Sequence, residues 1–377
     1  MTMRVALLGS TGFLGEQILE VLSTHRDFEV VLLGGFRNVA KLLDQATSFR
    51  PRYVYSPYLE GLSTPFHILT SCEALEAVLL SDEVEGVFFA ASGVTLFETF
   101  LKLLRTGKTL WVGSKELLIL AGDLEGSGLL LRYPHLIPLD SEHNALWQML
   151  RLLPRKEIAK VYITASGGPF YEWQGSFADI TPEMALAHPN WKMGTKITVD
   201  SANLVNKGLE VMEAFFLFDI PQEKIDVLIQ RESIVHALVE MKDGFTFGVF
   251  APPDMRLVIQ NAISPRRLEH PFQRLRFAEL HALRFDYPVP QRFQGFYLAL
   301  YALSKGQGYP TLFCGADEAC VHHFLTRNIS FEDIPSILEQ VLDHDISPPR
   351  SVPEVQRLFQ LGFSQAEALI RQRSILR

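Results

Sequence analysis

The chain has 377 residues, which is more than one hydrophobic core usually supports, so two or three domains are expected. Its formal net charge of -8 argues against a surface for nucleic acid or anionic membranes, and 47% hydrophobic with 21% charged residues is typical of a globular protein. Three cysteines show neither metal-site nor disulfide spacing, and no apolar run is long enough to span a membrane. These features predict a cytoplasmic protein without a targeting segment.

The first third of the chain alternates between two hydrophobic patterns. Short β-prone runs lie at residues 3–8, 29–34, 53–55, 86–90 and 109–112. Helical spacing of apolar residues separates them, at 15–24, 39–47, 72–80 and 95–105. This alternation predicts a Rossmann-like, doubly wound parallel sheet in an α/β fold.

The pattern changes near residue 137. Strand candidates at 161–164 and 226–229 precede a predicted hairpin formed by 233–240 and 245–250. From 296 onward the spacing is helical, with breaks at 306–310, 335 and 348–349. We therefore predict an N-terminal domain over 1–139, a central α+β catalytic domain over 140–263, a linker over 264–295 and a C-terminal helical domain over 296–377.

A glycine-rich loop, Gly9-Ser-Thr-Gly12-Phe-Leu-Gly15, lies between the first strand and the first helix. Glycines allow a tight turn and a close approach to a pyrophosphate, whose charge the helix N-terminus favours. The loop predicts a dinucleotide site, and the alternative is an ordinary turn between strand and helix.

The end of the second strand indicates which dinucleotide binds. NAD-binding folds usually place an acidic residue here, but this chain has Gly34-Gly35-Phe36-Arg37-Asn38. Arg37 and Asn38 are suited to a 2′-phosphate, which favours NADPH. The alternative is that Arg37 is a solvated surface residue.

Carboxylates follow directly on an apolar strand in Asp140-Ser-Glu142-His-Asn144. On an extended segment the residues at i and i+2 point the same way, and an oxygen-rich site suits Mg²⁺ or Mn²⁺. The alternative is that Asp140 caps a helix over 144–151.

A second polar cluster is predicted on a helix around residue 206. Helical spacing places one stripe together, made of Asn203, Asn206, Lys207, Glu210 and either Glu213 or Ala214. The stripe is either a solvated ion-pair face, or a site that holds a phosphate with Asn206 and Lys207 and a metal with Glu210. Just before it, Asp200-Ser201 is typical of a helix start with free N–H groups for an anion.

Two loops complete the candidate residues. Ser166-Gly-Gly-Pro-Phe170 follows a strand and forms a small turn suited to an anion. His188-Pro-Asn-Trp191-Lys-Met-Gly194 combines a loop breaker, a stacking surface and a terminal glycine. This composition predicts a mobile lid over a substrate, and the alternative is a plain surface loop anchored by its tryptophan.

Together these motifs resemble the 1-deoxy-D-xylulose 5-phosphate reductoisomerases, NADPH- and metal-dependent enzymes of the non-mevalonate isoprenoid pathway. The resemblance keeps the order of the motifs over roughly residues 5–260. Besides the motifs already quoted, it includes Lys115-Glu116, Pro138-Leu-Asp140, Val199-Asp-Ser201, Asn206-Lys-Gly-Leu-Glu210 and Pro253-Asp-Met-Arg256.

The resemblance implies a role for each residue, and it also implies a homodimer. The metal, Mg²⁺ or Mn²⁺, would be held by Asp140, Glu142 and Glu210. The substrate, a phosphorylated ketose, would meet Lys115, Ser141, Glu142, Ser166, His188, Trp191, Ser201, Asn206, Lys207 and Glu210. Lys115, Glu142, His188 and His236 would be the catalytic set. NADPH would contact Ser10, Thr11, Gly12, Phe13, Leu14, Arg37, Asn38, Glu116 and Gly194.

Two positions depart from the family pattern, and two other functions remain as alternatives. Ser114 stands where the family usually has an asparagine before Lys-Glu, and Phe13 stands where it usually has a small residue or serine. A semialdehyde dehydrogenase would need a nucleophilic cysteine in its central domain, and none lies there. A catalytically inactive NADPH sensor would most naturally have lost one of the three carboxylates, and all three are present.

Overall fold

The chain is described by a computed structural model over residues 2–61, 64–264 and 272–376. It divides into two compact units. The first contains Met1–Leu117, Leu130–Asn144 and Asp254–Gln273, and the second contains Leu118–Leu129, Ala145–Pro253 and Arg274–Arg377. The predicted domain boundaries at 139, 263 and 295 stay a prediction, and residues 265–271 of the predicted linker lie outside the described residues.

The first unit is built on a parallel seven-stranded sheet in the order β4-β3-β2-β1-β5-β6-β7. Its strands are β1 Met3–Leu8, β2 Phe28–Gly34, β3 Tyr53–Tyr55, β4 His67–Leu69, β5 Gly86–Phe89, β6 Thr109–Val112 and β7 Leu136–Pro138. The order reverses beside β1, which confirms the doubly wound prediction and places the ends of β1 and β2 where such folds bind nucleotides.

Helices alternate with these strands along the chain. In chain order they are α1 Phe13–Ser23, α2 Val39–Phe49, α3 Cys72–Leu80, α4 Phe97–Leu104, α5 Lys115–Glu125, α6 Leu129–Arg132 and α7 Ser141–Leu150. The core of the unit includes Trp111, which stacks on Phe88 with ring centroids 4.2 Å apart. The Trp111 Nε1–H donates to the carbonyl of Ala262 at 3.0 Å, so the later segment 254–264 belongs to this core.

The second unit contains a four-stranded sheet in the order β11-β10-β8-β9. Its strands are β8 Ile158–Ala165, β9 Ile225–Ile229, β10 Val235–Met241 and β11 Thr246–Phe250. β9 is parallel to β8, whereas β10 is antiparallel to both β8 and β11. The predicted hairpin is therefore confirmed, and β11 forms one edge of the sheet.

The remaining helices are α8 Pro182–Leu186, α9 Thr195–Ala202, α10 Val205–Phe218, α11 Met255–Ile263, α12 Gln294–Lys305, α13 Tyr309–Leu325, α14 Asp333–Leu342 and α15 Val352–Leu376. All but α11 lie in the second unit. α13 and α15 pack closely at Gly315 of α13. A Cβ on Gly315 would lie 2.0 Å from the carbonyl oxygen of Phe359 in α15. Pro335 lies in the first turn of α14, where a helix does not need its missing N–H. Within the described ranges, no helix combines the length and apolar character needed to cross a lipid bilayer.

Candidate functional site

The glycine loop connects β1 to α1 and leaves the helix start open. Gly9 has a φ of +88°, and a Cβ there would lie 2.4 Å from the backbone nitrogen of Ala91. Gly12 is exposed and precedes the first turn of α1, and no side chain caps that turn. The amides of that turn, which contains Phe13 and Leu14, therefore have no capping side chain, and this fits a bound pyrophosphate.

Ser10 and Thr11 differ in their surroundings. Ser10 is fully buried, and its N–H donates to the Gly34 carbonyl at 3.0 Å. Its own carbonyl accepts a hydrogen bond from Gln45 Nε2 at 2.8 Å. Thr11 is half-buried beside Gly35. Ser10 thus shapes the loop from inside the unit.

Arg37 and Asn38 are exposed just beyond the carboxyl end of β2. The Asn38 side chain accepts a hydrogen bond from the Lys41 N–H at 3.3 Å and caps α2. The Arg37 guanidinium lies in solvent, where an incoming 2′-phosphate can reach it. Selection of NADPH by this residue stays a prediction.

Lys115 and Glu116 begin α5, a helix that sequence reasoning missed, and both are buried. The Lys115 ammonium forms an ion pair with Asp140. Ser114 Oγ lies 3.4 Å from a carboxylate oxygen of Glu116. The serine that departs from the family pattern therefore contacts the Glu116 side chain.

Asp140 and Glu142 do not lie on an extended segment, and that expectation is corrected. The Asp140 carboxylate accepts the N–H groups of Glu142 at 3.0 Å and His143 at 3.2 Å, so the chain becomes helical at Ser141. Asp140 is thus a helix cap as well as a candidate ligand. The buried His143 ring, which sequence reasoning missed, lies 3.0 Å from the same carboxylate, and Ser141 Oγ donates to Glu142.

In the second unit, the turn after β8 packs directly against α9. Gly167 and Gly168 have φ values of +79° and +64°, and Ser166 Oγ accepts the Gly168 N–H at 3.1 Å. A Cβ on Gly168 would lie 2.6 Å from the carbonyl oxygen of Ser201. The structure therefore brings together the segments that carry the Ser166 and Ser201 hydroxyls.

The predicted start of a helix at Asp200-Ser201 is wrong. These residues form the last turn of α9, which ends at Ala202. Leu204 has a φ of +64°, which breaks the helix, and α10 begins at Val205. For the same reason Asn203 precedes α10 and does not share its stripe.

Asn206, Lys207 and Glu210 do share one face of α10. Glu210 accepts a hydrogen bond from Asn206 Nδ2 at 2.7 Å and forms an ion pair with Lys207. Lys207 and Glu210 are only 4% and 2% exposed, so this is not the solvated ion-pair face considered as an alternative. A buried pair of this kind is costly to desolvate, which favours a functional reason for its presence.

The segment 188–191 is organised around the His188 ring. Nε2 lies 3.0 Å from Ser166 Oγ, and Nδ1 accepts the N–H groups of Asn190 and Trp191 at 3.1 and 2.9 Å. Burial lowers the pKa of His188 to about 4, and the charge of Arg231 adds to this effect. His188 is therefore a neutral ring that joins the segment to the turn after β8.

The other predicted residues of this unit lie near the same segment. The rings of Trp191 and His236 have centroids 6.3 Å apart, and His236 Nε2 is 3.2 Å from the Ala251 carbonyl oxygen. Gly194 is exposed and immediately precedes α9. Sequence reasoning missed Asn190 and Arg231; Asn190 lies within the quoted loop motif, whereas no motif contains Arg231.

The donor chemistry of these residues fits the groups that the resemblance implies. Asp140, Glu142 and Glu210 offer carboxylate oxygens, the donors that Mg²⁺ and Mn²⁺ prefer. The open first turn of α1 fits the pyrophosphate of a dinucleotide.

Comparison with known proteins supports the same resemblance. Three family models match: 1-deoxy-D-xylulose 5-phosphate reductoisomerase over residues 5–122, its C-terminal domain over 136–218, and the DXP reductoisomerase C-terminal domain over 250–362. The 1-deoxy-D-xylulose 5-phosphate reductoisomerase of Persephonella marina is 41% identical over 93% of this chain and 94% of its own length. That of Aquifex aeolicus is 38% identical over 96% of both chains.

Solved structures agree with these sequence matches. A DOX-P reductoisomerase in complex with NADPH, fosmidomycin and magnesium is similar with a TM-score of 0.89 and 30% identity, covering 98% of each chain. The Zymomonas mobilis enzyme in complex with NADPH has a TM-score of 0.86 and 32% identity, covering 98% of this chain and 99% of its own.

Proposed function

The chain belongs to the 1-deoxy-D-xylulose 5-phosphate reductoisomerase family, and from that membership we propose which of its residues carry the reaction. It is an NADPH- and divalent-metal-dependent enzyme that converts 1-deoxy-D-xylulose 5-phosphate into 2-C-methyl-D-erythritol 4-phosphate. The match of the family models along the chain is the observation that carries this conclusion.

We propose that the substrate phosphate is held by Ser166, Ser201, Asn206 and Lys207. The contact of Gly168 with Ser201 supports this, because it keeps the two serine-bearing segments together. Binding energy from the phosphate, remote from the reacting carbons, would position the other end of the substrate.

The proposed metal ligands are Asp140, Glu142 and Glu210. When bound, a divalent ion supplies Lewis-acid chemistry and a template for the substrate's oxygens. The chain's own contribution is to orient these carboxylates: His143 and two backbone N–H groups hold Asp140, and Asn206 with Lys207 holds Glu210. Magnesium is found in a related structure, and we propose that Mn²⁺ also serves.

The remaining contacts are proposed from the same motifs. Lys115, Ser141 and Glu142 would contact the substrate's oxygens, while His188 and Trp191 would cover it and His236 would complete the catalytic set. NADPH, which supplies the hydride, would meet Ser10, Thr11, Gly12, Phe13, Leu14, Arg37, Asn38, Glu116 and Gly194. Residues 1–139 would thus bind the cofactor, 140–263 the metal and substrate, and 296–377 would form the helical domain beyond the linker.

We also propose a cytoplasmic homodimer. Cys72, Cys314 and Cys320, all within the described residues, form no disulfide bond, which suits a reducing compartment. The edge strand β11 and its hairpin turn expose aromatic side chains, with Phe245 71% and Phe247 46% exposed. An uncovered aromatic strand edge favours pairing with a second copy of the chain.

An assay of NADPH oxidation with 1-deoxy-D-xylulose 5-phosphate tests the reaction. Oxidation should require the substrate, stop when EDTA removes the metal, and return with Mg²⁺ or Mn²⁺. Oxidation that continues at the same rate without substrate or without metal would contradict the proposed chemistry.

A further inference from the structure

The connection between β9 and β10 carries an arginine that no motif includes. The Nη1 of Arg231 donates to the carbonyl oxygens of Ser166 and Gly168, the latter at 2.9 Å. These two carbonyls lie on either side of Gly167, in the turn whose Ser166 hydroxyl is proposed to hold the phosphate. By holding both carbonyls, Arg231 fixes the peptide planes of that turn.

The same residue also contacts the segment 188–191. The Arg231 carbonyl accepts a hydrogen bond from Asn190 Nδ2 at 2.5 Å, and this amide also donates to Ser233 Oγ at 3.0 Å. Arg231 therefore joins the turn through its side chain and the His188–Trp191 segment through its backbone. A shift of either segment would disturb the other through this one residue.

The contacts of the Arg231 guanidinium are with uncharged groups over the part of the chain that the structure describes. Among the residues that the structure describes, its guanidinium forms no ion pair, and its centre lies 5.0 Å from the Tyr171 ring centroid. The two carbonyl oxygens and the aromatic face are uncharged, so they leave the net positive charge of the guanidinium in place. This charge also contributes to the lowered pKa of His188, so it acts across the same region.

We propose that Arg231 is a positioning residue for the substrate phosphate, which shapes the Ser166–Gly168 turn and adds positive charge beside it. The inference rests on the proposed role of Ser166 in phosphate binding. An arginine at this place gives the turn both a fixed geometry and an attraction for a dianion, which a neutral residue would not supply.

Arg292 offers a matched control. Its Nη1 also donates to two carbonyls of the same loop region, those of Phe170 at 2.7 Å and Trp173 at 2.8 Å. Arg292 therefore holds the loop in the same way, but its described hydrogen bonds go to carbonyls beyond the Ser166–Gly168 turn. A comparison of the two arginines separates an effect on the phosphate from a general loosening of the loop.

The experiment measures steady-state kinetics with 1-deoxy-D-xylulose 5-phosphate and inhibition by inorganic phosphate. Arg231→Met should raise KM and the phosphate inhibition constant about tenfold each, because the turn loses its fixed geometry and the anion loses a nearby positive charge. kcat should stay within about twofold, since ground and transition states lose the same interaction. Arg292→Met should leave both constants near those of the parent enzyme.

Arg231→Lys keeps the charge and should recover most of the lost affinity. Arg231→Gln removes the charge as well and is measured in place of Arg231→Met if that variant does not fold, with the same expected rise in KM. Equal KM values for the parent, Arg231→Met and Arg231→Lys would overturn the inference, as would an equal rise in Arg292→Met. Ser166→Ala distinguishes a failure of the inference about Arg231 from a failure of the proposed phosphate site. If Ser166→Ala raises KM while Arg231→Met does not, only the inference about Arg231 fails; if neither raises it, the phosphate assignment itself fails.

Discussion

The Nε2 atom of His188 lies 3.0 Å from Ser166 Oγ, while Nδ1 of the same ring accepts two backbone N–H groups. A nitrogen that accepts N–H groups carries no proton, so the proton of the neutral ring is on Nε2 and is donated to Ser166. The serine oxygen is then an acceptor for His188, and its own hydrogen is available for an anionic oxygen of the substrate.

The first prediction concerns the protonation of His188. Nitrogen NMR of labelled histidine should show the Nε2–H tautomer and a pKa near 4 rather than the ordinary 6.5. Because the folded-state pKa is depressed, this histidine contributes stability above pH 6.5 that is lost as the pH falls through 4. In His188→Gln the free energy of unfolding should fall less as the pH falls. An Nδ1–H tautomer in the parent protein would contradict the assignment of the hydrogen bond from Nε2 to Ser166.

The second prediction tests the metal ligands through Glu210. Glu210→Gln should lower metal-dependent turnover about a hundredfold or more, because a neutral amide is a poor ligand for a hard cation. NADPH binding, measured by fluorescence titration, should be nearly unchanged. Asp226→Asn is the matched control, since Asp226 pairs with Lys160 at 2.7 Å on the sheet and has no proposed role. Unchanged turnover in Glu210→Gln would refute its assignment as a ligand.

The third prediction concerns the choice of cofactor. Arg37→Ala should lower the preference for NADPH, measured as kcat/KM for NADPH divided by kcat/KM for NADH, about tenfold. The reason is that the 2′-phosphate loses a charged partner. Arg26→Ala is the control, since Arg26 is equally exposed but precedes β2, whereas Arg37 follows it. If the preference for NADPH over NADH in both variants equals that of the parent enzyme, Arg37 does not contact the 2′-phosphate.

The fourth prediction concerns stability and Asp123 of α5. Its buried carboxylate accepts the N–H groups of Gly308 at 3.0 Å and Thr311 at 2.9 Å at the start of α13, and burial raises its pKa from 3.8 to about 6. A raised acid pKa means that the contribution to stability is full below pH 3.8 and is lost as the pH rises through 6.

Denaturant unfolding of the parent and Asp123→Asn at several pH values checks this. Relative to the variant, the parent should lose up to about 3 kcal/mol of unfolding free energy between about pH 4 and about pH 7. A constant difference between the two proteins over this range would show that Asp123 does not titrate there.

The fifth prediction concerns the proposed homodimer. Phe247→Glu places a charge on the exposed edge strand β11 and should shift the mass measured by light scattering from dimer toward monomer. Tyr58→Glu is a suitable control, because Tyr58 is 60% exposed in the other unit. A parent enzyme that is monomeric at assay concentrations would refute the dimer.

Local pattern was sufficient for much of the fold. The strands β1, β2, β6 and β10 follow hydrophobic runs that are buried on one or both faces, and β11 follows from its pairing with β10 in the predicted hairpin. Failures occurred where one backbone dihedral decides the outcome. Leu204 has the pattern of a buried helical residue, yet its positive φ separates α9 from α10 and moves Ser201 to a helix end.

Contacts in the candidate site could be predicted from the sequence where both residues of a contact lie in the same motif. The pairing of Lys207 with Glu210 follows from helical spacing, but the ion pair of Lys115 with Asp140 joins residues 25 positions apart. The contact of Arg231 with Ser166 spans 65 positions, and the parallel pairing of β8 with β9 brings these residues together. Such contacts depend on tertiary structure, which spacing within a motif does not contain.

The close approach of Gly168 to Ser201 has a consequence for resistance to inhibitors. An inhibitor that mimics the substrate phosphate would depend on the same two serine-bearing segments as the substrate. Any side chain at position 168 would collide with the Ser201 carbonyl and separate those segments, so the substrate would lose affinity along with the inhibitor. Resistance selected under such an inhibitor should therefore avoid this glycine and arise at residues that the substrate does not need.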